Sequence, residues 1–380
     1  MDIEELIKIE KAKKKIFKDE SVLDINYVPE RPLFRENELK RIYLELSPLF
    51  DGIRATNLFI YGVTGSGKTM IIKYFLERVV PKLGRIISYS YVNCREIKTE
   101  YKVIRSVLLD LNIPFPKTGL STSDAYEKLK KTLKVPVLVV LDEVDILVKS
   151  AGDDLLYNFS RNEKVTVVGI SNDPTFIDLL DARTLSSLKR KEIVFRPYNA
   201  VQLQEILKQR AVLAFNEGVL EEDVIPLCAA FSMNYYGDAR KAVELLHLSG
   251  KIAVMEGSDI VSADHVKKAM KELERSTILD LIKSLPNTQK CVLYVLLKLF
   301  ERQRVVTLSD VVRSYELVKD KLGFPDVSYK TISRILNELE TYGIISGKVV
   351  GKGRGRGVSK TLTLKVSLDT LKRGCEDFLN

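Results

Sequence analysis

The residues with the clearest chemistry lie at Gly62-Val-Thr-Gly-Ser-Gly-Lys-Thr69. Glycines spaced by small residues and closed by Lys-Thr make a phosphate-binding loop. The backbone amides of Gly65, Ser66, Gly67, Lys68 and Thr69 can turn inward around phosphate oxygens, and a following helix adds the positive end of its dipole. Lys68 would reach the β and γ phosphates, Thr69 would ligate magnesium, and the nucleotide-contacting stretch runs on through Met70. A second feature is Val137-Leu-Val-Val-Leu-Asp-Glu-Val-Asp145, an apolar run that ends in adjacent carboxylates. Asp142 would hold the magnesium through water and Glu143 would polarise an attacking water. Asp-Glu behind a strand also serves as an ordinary helix N-cap, but about seventy residues beyond a phosphate loop it points to nucleotide hydrolysis. A third apolar run closes in Ser171-Asn-Asp173, where Asn172 would meet the γ phosphate or the attacking water, or would merely open an Asx-turn before Pro174. Arg240, after Gly237-Asp-Ala239, is the candidate to neutralise the phosphoryl group in cis, and Arg183 is the candidate to act on a neighbouring chain. For both arginines the plain alternative is a surface or salt-bridged residue. ATP or ADP with magnesium is the expected ligand set.

These residues require a sheet to carry them. The apolar run at 57–61 before the loop and the apolar-periodic segment 69–80 after it read as strand and helix. Further buried-strand patterns at 85–93, 135–141, 165–171 and 191–195 alternate with amphipathic helical stretches such as 101–111 and 123–133, which predicts an α/β fold with a doubly wound parallel sheet. After Pro197 the strands stop, and helical patterns at 200–216, 221–235, 238–255 and 262–277 predict an all-helical lid. Helices at 287–301, 307–322 and 328–342 and a hairpin at 343–366, with the tip Gly351-Lys-Gly-Arg-Gly-Arg-Gly357, spell a C-terminal winged-helix domain. The expected domains are a nucleotide-binding core with its N-terminal extension at 1–199, a lid at 200–275 and a DNA-binding domain at 276–380.

Charge supports the last assignment. The 380-residue chain has a net charge of +9, and from Ser276 onward 18 Lys and Arg stand against 11 Asp and Glu. In a winged helix the third helix enters the major groove and the hairpin follows the backbone or minor groove. The DNA-facing candidates are therefore Ser328, Tyr329, Lys330, Thr331 and Arg334, then Lys352, Arg354 and Arg356 at the tip. Cations there would release counterions on binding, giving a salt-dependent affinity; a solvated hairpin on a domain used for protein contacts is the alternative. The lysines at 11, 13, 14, 15 and 18 could meet a phosphate backbone, but a solvated helix face is the preferred reading. Cys94, Cys228, Cys291 and Cys375 stand singly, far from any pairing with His247 or His265 that would suggest zinc. The charged opening and the lack of any run of eighteen apolar residues give no leader and no membrane span, so a reduced, cytoplasmic protein is expected.

In this order the pieces resemble the archaeal Orc/Cdc-type replication initiators, which are AAA+ ATPases related to origin-recognition and helicase-loading proteins. The resemblance covers nearly the whole chain. It is carried by Phe17-Lys-Asp-Glu-Ser-Val-Leu-Asp24, Tyr27-Val-Pro-Glu30, Arg35-Glu36, the phosphate loop, Leu141-Asp-Glu-Val-Asp145, Ser171-Asn-Asp173, Ser186-Ser-Leu188 through Tyr198, and Gly237-Asp-Ala-Arg-Lys-Ala242. It implies that Val28 and Pro29 line the adenine pocket with Arg35 nearby, and that Tyr198 and Arg210 close over the nucleotide from the core–lid junction. It also implies a DNA-touching insertion at 116–131, with Thr118, Gly119 and Ser121 as contacts, where a plain loop and amphipathic helix is the alternative. The stretch Leu180-Asp-Ala-Arg-Thr-Leu185 departs from the family pattern, which has Pro before this arginine and Val after it, and this bears on the role of Arg183. The implied function is an ATP-dependent initiator, slow in hydrolysis, that binds double-stranded origin DNA and recruits or loads the replicative helicase, with paralogous initiator subunits as further partners. A STAND-type ATPase coupled to a winged-helix transcription regulator and a ring-forming remodelling ATPase are the alternatives.

Overall fold

The computed structural model describes residues 3–82, 87–351 and 358–379. The chain forms two compact units, Met1–Val266 and Lys267–Asn380.

In the first unit five strands, β1 Asn57–Gly62, β2 Ser88–Asn93, β3 Val137–Asp142, β4 Val165–Ser171 and β5 Arg190–Phe195, form one sheet in the order β2-β3-β4-β1-β5. Every pairing is parallel. Strands covered on both faces need apolar residues at successive positions rather than alternation, and β3 and β4 are buried throughout. On one face Phe59, Val139, Leu141 and Val167 pack with Val103, Val107 and Phe159. On the other Leu58, Ile60, Val140 and Val168 pack with Ile42, Leu46, Ile71 and Phe75. The order places β1 between β4 and β5, so the carboxyl ends of β1, β3 and β4 meet where an open α/β sheet binds its ligands.

The helix after the phosphate loop begins at Lys68 and widens to a π-helical turn over Phe75–Val79. Pro81 explains the departure from the regular helix expected over 69–80, because its ring displaces the carbonyl four residues back and it has no N–H to donate. Helices Ala200–Ala214, Val224–Met233 and Ala239–Met255 form the lid, and Asn199 opens the first with a capping box to Gln202. The N-terminal extension lies on this lid. The helix Ile3–Ile16 packs against Ala239–Met255, Phe17 stacks on Phe215 with ring centroids 5.0 Å apart, and a Cβ at Gly250 would lie 2.5 Å from the Phe17 ring.

The second unit contains helices Asn287–Phe300, Leu308–Leu322 and Tyr329–Thr341 and a three-stranded antiparallel sheet, β6 Val306–Thr307, β7 Ile345–Gly351 and β8 Val358–Leu364, in the order β6-β8-β7. Leu293, Leu296, Val311, Tyr315, Ile332, Leu336, Ile345 and Leu362 share its core. This is a winged-helix unit with two additions to the sequence reading: β6, two residues long, and a last helix, Leu368–Leu379, that buries Leu371 and Cys375 one turn apart. The boundary expected at Ser276 falls inside one continuous helix, Ala263–Ser284. Among the described residues no helix is long and apolar enough to cross a membrane.

Candidate functional site

The phosphate loop connects β1 to the helix starting at Lys68, and its glycines are required by their surroundings as well as by their backbone angles. Gly65 and Gly67 have φ of +72° and +91°. A Cβ on Gly67 would sit 2.7 Å from the Tyr198 hydroxyl, and one on Gly65 only 1.7 Å from an Asp238 carboxylate oxygen. The loop is thus held between the core–lid hinge at Tyr198 and the start of a lid helix, where Ala239 N–H donates to the Gly65 carbonyl at 3.3 Å. Lys68 Nζ donates to the carbonyls of Gly62 (2.7 Å) and Val63 (2.9 Å) and to Asn172 Oδ1 (2.8 Å). Burial pushes its ammonium down to about 8, with nearby Asp142 pulling the other way. A buried cation held by neutral oxygens lacks a full counter-charge, which phosphate would supply.

Asp142 ends β3 at the expected place. Its Oδ1 accepts from Glu143 N–H at 3.0 Å, and its Oδ2 accepts from Thr69 Oγ1 at 2.8 Å and from the Tyr91 hydroxyl. Burial, then the Asp142 carboxylate, pushes the Tyr91 phenol well above its ordinary value. Glu143 is in the left-handed region at φ +55°, and its carboxylate pairs with Arg95 Nε at 2.7 Å. Asn172 is steadied from behind: Ser171 Oγ donates to buried Asp145 at 2.8 Å, and Lys149 pairs with Asp173 at 2.8 Å. The oxygen donors Thr69 and Asp142 suit magnesium. Among the described residues no three His, Cys, Asp or Glu side chains gather as a metal cage, so an ion here would complete its shell from phosphate and water, as magnesium does.

These groups face one cleft of about 660 Å³, within the size range of small-molecule sites. Gly65, Gly67, Lys68, Thr69, Met70, Asp142, Glu143 and Asn172 line it together with Val28, Pro29, Tyr198, Arg210 and Arg240. Arg240 stands half-exposed with its Nε 3.5 Å from Asp238. Ser66 is fully buried beneath the loop and bonds Val63 O. Arg35 stands behind the phosphate loop rather than at the cleft surface. It does not line the cleft: it is buried, donates to the carbonyls of Ser66 (2.9 Å) and Arg196 (2.7 Å), and stacks 4.0 Å from the Tyr198 ring centroid. It therefore braces the loop and the hinge from below. Arg210 reaches the cleft, but its guanidinium donates to the carbonyls of Val22 and Tyr27 and sits 4.3 Å from the Tyr27 ring centroid, tying the N-terminal segment to the lid.

Arg183 lies off this cleft and pairs with Asp154 at 2.8 Å over the ring of Tyr157. Thr118, Gly119 and Ser121 are exposed before the helix Thr122–Thr132, and Ser121 forms a capping box with Asp124. In the second unit Ser328 caps the helix Tyr329–Thr341 through Thr331 N–H at 3.2 Å. Tyr329 and Lys330 are exposed on its first turn, and the exposed Arg334 pairs with Glu338 one turn further along the same helix at 2.8 Å. Lys352, Arg354 and Arg356 lie outside the described residues. Sequence reasoning missed Tyr91, Arg95, Asp145 and Asp238. Tyr91 alone carried a signal, since strand alternation places it on the same side of β2 as Asn93.

Family models match three stretches of the chain: an AAA ATPase domain over residues 31–169, a Cdc6 AAA+ ATPase-type lid domain over 204–271 and a CDC6 C-terminal winged helix domain over 280–374. The chain is 40% identical over 370 residues to the ORC1-type DNA replication protein 1 of Sulfurisphaera tokodaii, covering 95% of this chain and 93% of that protein. It is 39% identical over 374 residues to the protein of the same description from Sulfolobus acidocaldarius, covering 96% and 94%. Among solved structures it is similar to the Aeropyrum pernix ORC1 protein determined in complex with DNA, with a TM-score of 0.80, 36% identity and coverage of 96% and 97%.

Proposed function

The chain belongs to the family of ORC1-type DNA replication proteins, and on that premise we propose that it is an ATP-governed initiator that binds origin duplex DNA and recruits or loads the replicative helicase. The observation that carries the nucleotide half is the convergence of Lys68, Thr69, Asp142, Glu143, Asn172 and the lid residue Arg240 on one cleft. Lys68 and the loop amides bind the β and γ phosphates, and Val28 and Pro29 hold the base at the far end. Thr69 and Asp142 hold magnesium, which when bound screens the phosphate charge. Glu143 takes the proton of the attacking water, Asn172 orients that water, and Arg240 carries the γ-phosphate charge to the lid. Because Arg95 pairs with Glu143, the base is held by a cation in this arrangement, which suits slow turnover and a protein used as a switch.

DNA contacts fall to Ser328, Tyr329, Lys330, Thr331 and Arg334 in the groove, to the hairpin tip with Lys352, Arg354 and Arg356, and to Thr118, Gly119 and Ser121 of the core. Arg183 contacts the nucleotide of a paralogous subunit on the same DNA. The protein works in the cytoplasm, on the nucleoid. Support for the DNA half comes from the relative solved with DNA and the basic second unit. The direct test is helicase retention on origin DNA with ATP against ADP. A nucleotide-dependent difference is expected, and equal retention with both would remove the switch from the account.

A further inference from the structure

We propose that Tyr91 is a positioning residue of the site that would hold magnesium, its hydroxyl fixing the orientation of the Asp142 carboxylate. The inference rests on the nucleotide reading above and adds a residue from a strand that it leaves without a role.

β2 runs parallel to β3 with Tyr91 opposite Val140 and Asn93 opposite Asp142. Tyr91 thus stands two residues behind the carboxylate in register, and the length of its ring carries the hydroxyl forward to Asp142 Oδ2, at 2.5 Å. The two oxygens of Asp142 are held differently. Oδ1 takes a backbone N–H from Glu143, whereas Oδ2 takes two hydroxyls, one from Thr69 in the loop and one from Tyr91 in the sheet. Thr69 belongs to the segment that carries phosphate and ion. Tyr91 belongs to β2, which pairs with β3 along its whole length and lies outside the loop. The ring is itself held: it borders the cleft, with Lys73 Nζ 5.4 Å from its centroid. A side chain needed only for packing would be as well served by phenylalanine. The hydroxyl instead makes a charge-assisted bond to the single carboxylate that faces Thr69, the arrangement by which outer partners orient a metal ligand and set ion affinity.

The test keeps the ring and removes the oxygen. In the full-length Tyr91→Phe protein, binding of a fluorescent ADP is followed by anisotropy, first in EDTA and then along a magnesium titration. The expected result is an unchanged affinity in EDTA and a magnesium midpoint raised about tenfold. In an Asp142→Ala background the same substitution should add nothing, because its partner carboxylate has gone. A midpoint within about twofold of the unsubstituted protein overturns the proposal, and so does an equal loss of affinity with and without magnesium, which marks a packing role. Failure of the unsubstituted protein to bind ADP under either condition would instead bring down the nucleotide reading, and this inference with it.

Discussion

The nucleotide cleft and the leading turn of the helix Tyr329–Thr341 treat their polar residues in opposite ways. In the cleft Lys68 and Asp142 are 6% and 5% exposed, and each is cross-bonded to residues from other strands. On the helix Tyr329 is 58% exposed, and the bonds made by Ser328 and Arg334 are local, to Thr331 and Glu338 of the same turn and the next. Chemistry on a phosphoryl group needs charges fixed before the ligand arrives, because reorganisation at the moment of reaction is what slows it. Contact with a nucleic-acid backbone needs reach and positive charge, and a rigid cross-bonded cation would forfeit the reach. On the proposed function the chain carries one region of each kind, in separate compact units.

That contrast can be broken from either side. The largest effect is expected from Glu143→Gln, which should lower hydrolysis by about a thousandfold in a single-turnover assay while leaving ATP affinity near its starting value. A parallel loss of affinity would mean that Glu143 shapes the site rather than acting as its base. Lys68→Ala should weaken nucleotide binding by about a hundredfold, measured by anisotropy or calorimetry, with DNA affinity of the nucleotide-free protein unchanged. Replacing Lys330 and Arg334 together with alanine should make the log–log salt dependence of duplex binding shallower by about two, without moving nucleotide affinity. An unchanged slope would take the helix off the DNA.

The smallest effect lies away from both regions, at the junction of the N-terminal extension and the lid. Burial works to raise the Glu20 carboxyl, but hydrogen bonds from Lys13, His247 and Lys251 outweigh it and hold the group at about 2, below its ordinary 4.5. A carboxyl depressed in the folded state stabilises above its ordinary value, and that contribution is lost as pH falls from about 4.5 toward about 2. Glu20→Gln should therefore lower the thermal midpoint at pH 7, with the difference closing over that acidic window. A difference that stays constant down to pH 2 would contradict the assignment.

How much of this was legible follows from where each signal resides. The phosphate loop and the β3 run ending in Asp142-Glu143 could be read because their chemistry is local: type and spacing already specify a strand, a turn and a helix start. Arg35 and Arg210 could not. A sequence gives an arginine's charge but not the carbonyls it will meet, and these two meet carbonyls of Ser66, Arg196, Val22 and Tyr27. The docking of the N-terminal extension on the lid was hidden for the same reason: Phe17 meets Phe215 and Gly250 across most of the first unit's length. Tyr91 lay between these extremes, its side of the strand readable from alternation and its partner not. The last helix was missed because its buried stripe, as far as it is described, carries just two apolar side chains, Leu371 and Cys375, within a charged segment.

The central claim is that the two regions belong to one initiator. The most direct measurement is binding of the full-length protein to duplex from a candidate origin and to a shuffled duplex, across a salt series, with ATP and with the Lys330 and Arg334 double alanine variant alongside. We expect a preference for the origin duplex and a steep fall with salt, with the preference weakened and the salt dependence shallower by about two in the variant. Equal, weak binding to both duplexes, the same in the variant, would contradict it and leave a remodelling ATPase with no site to read.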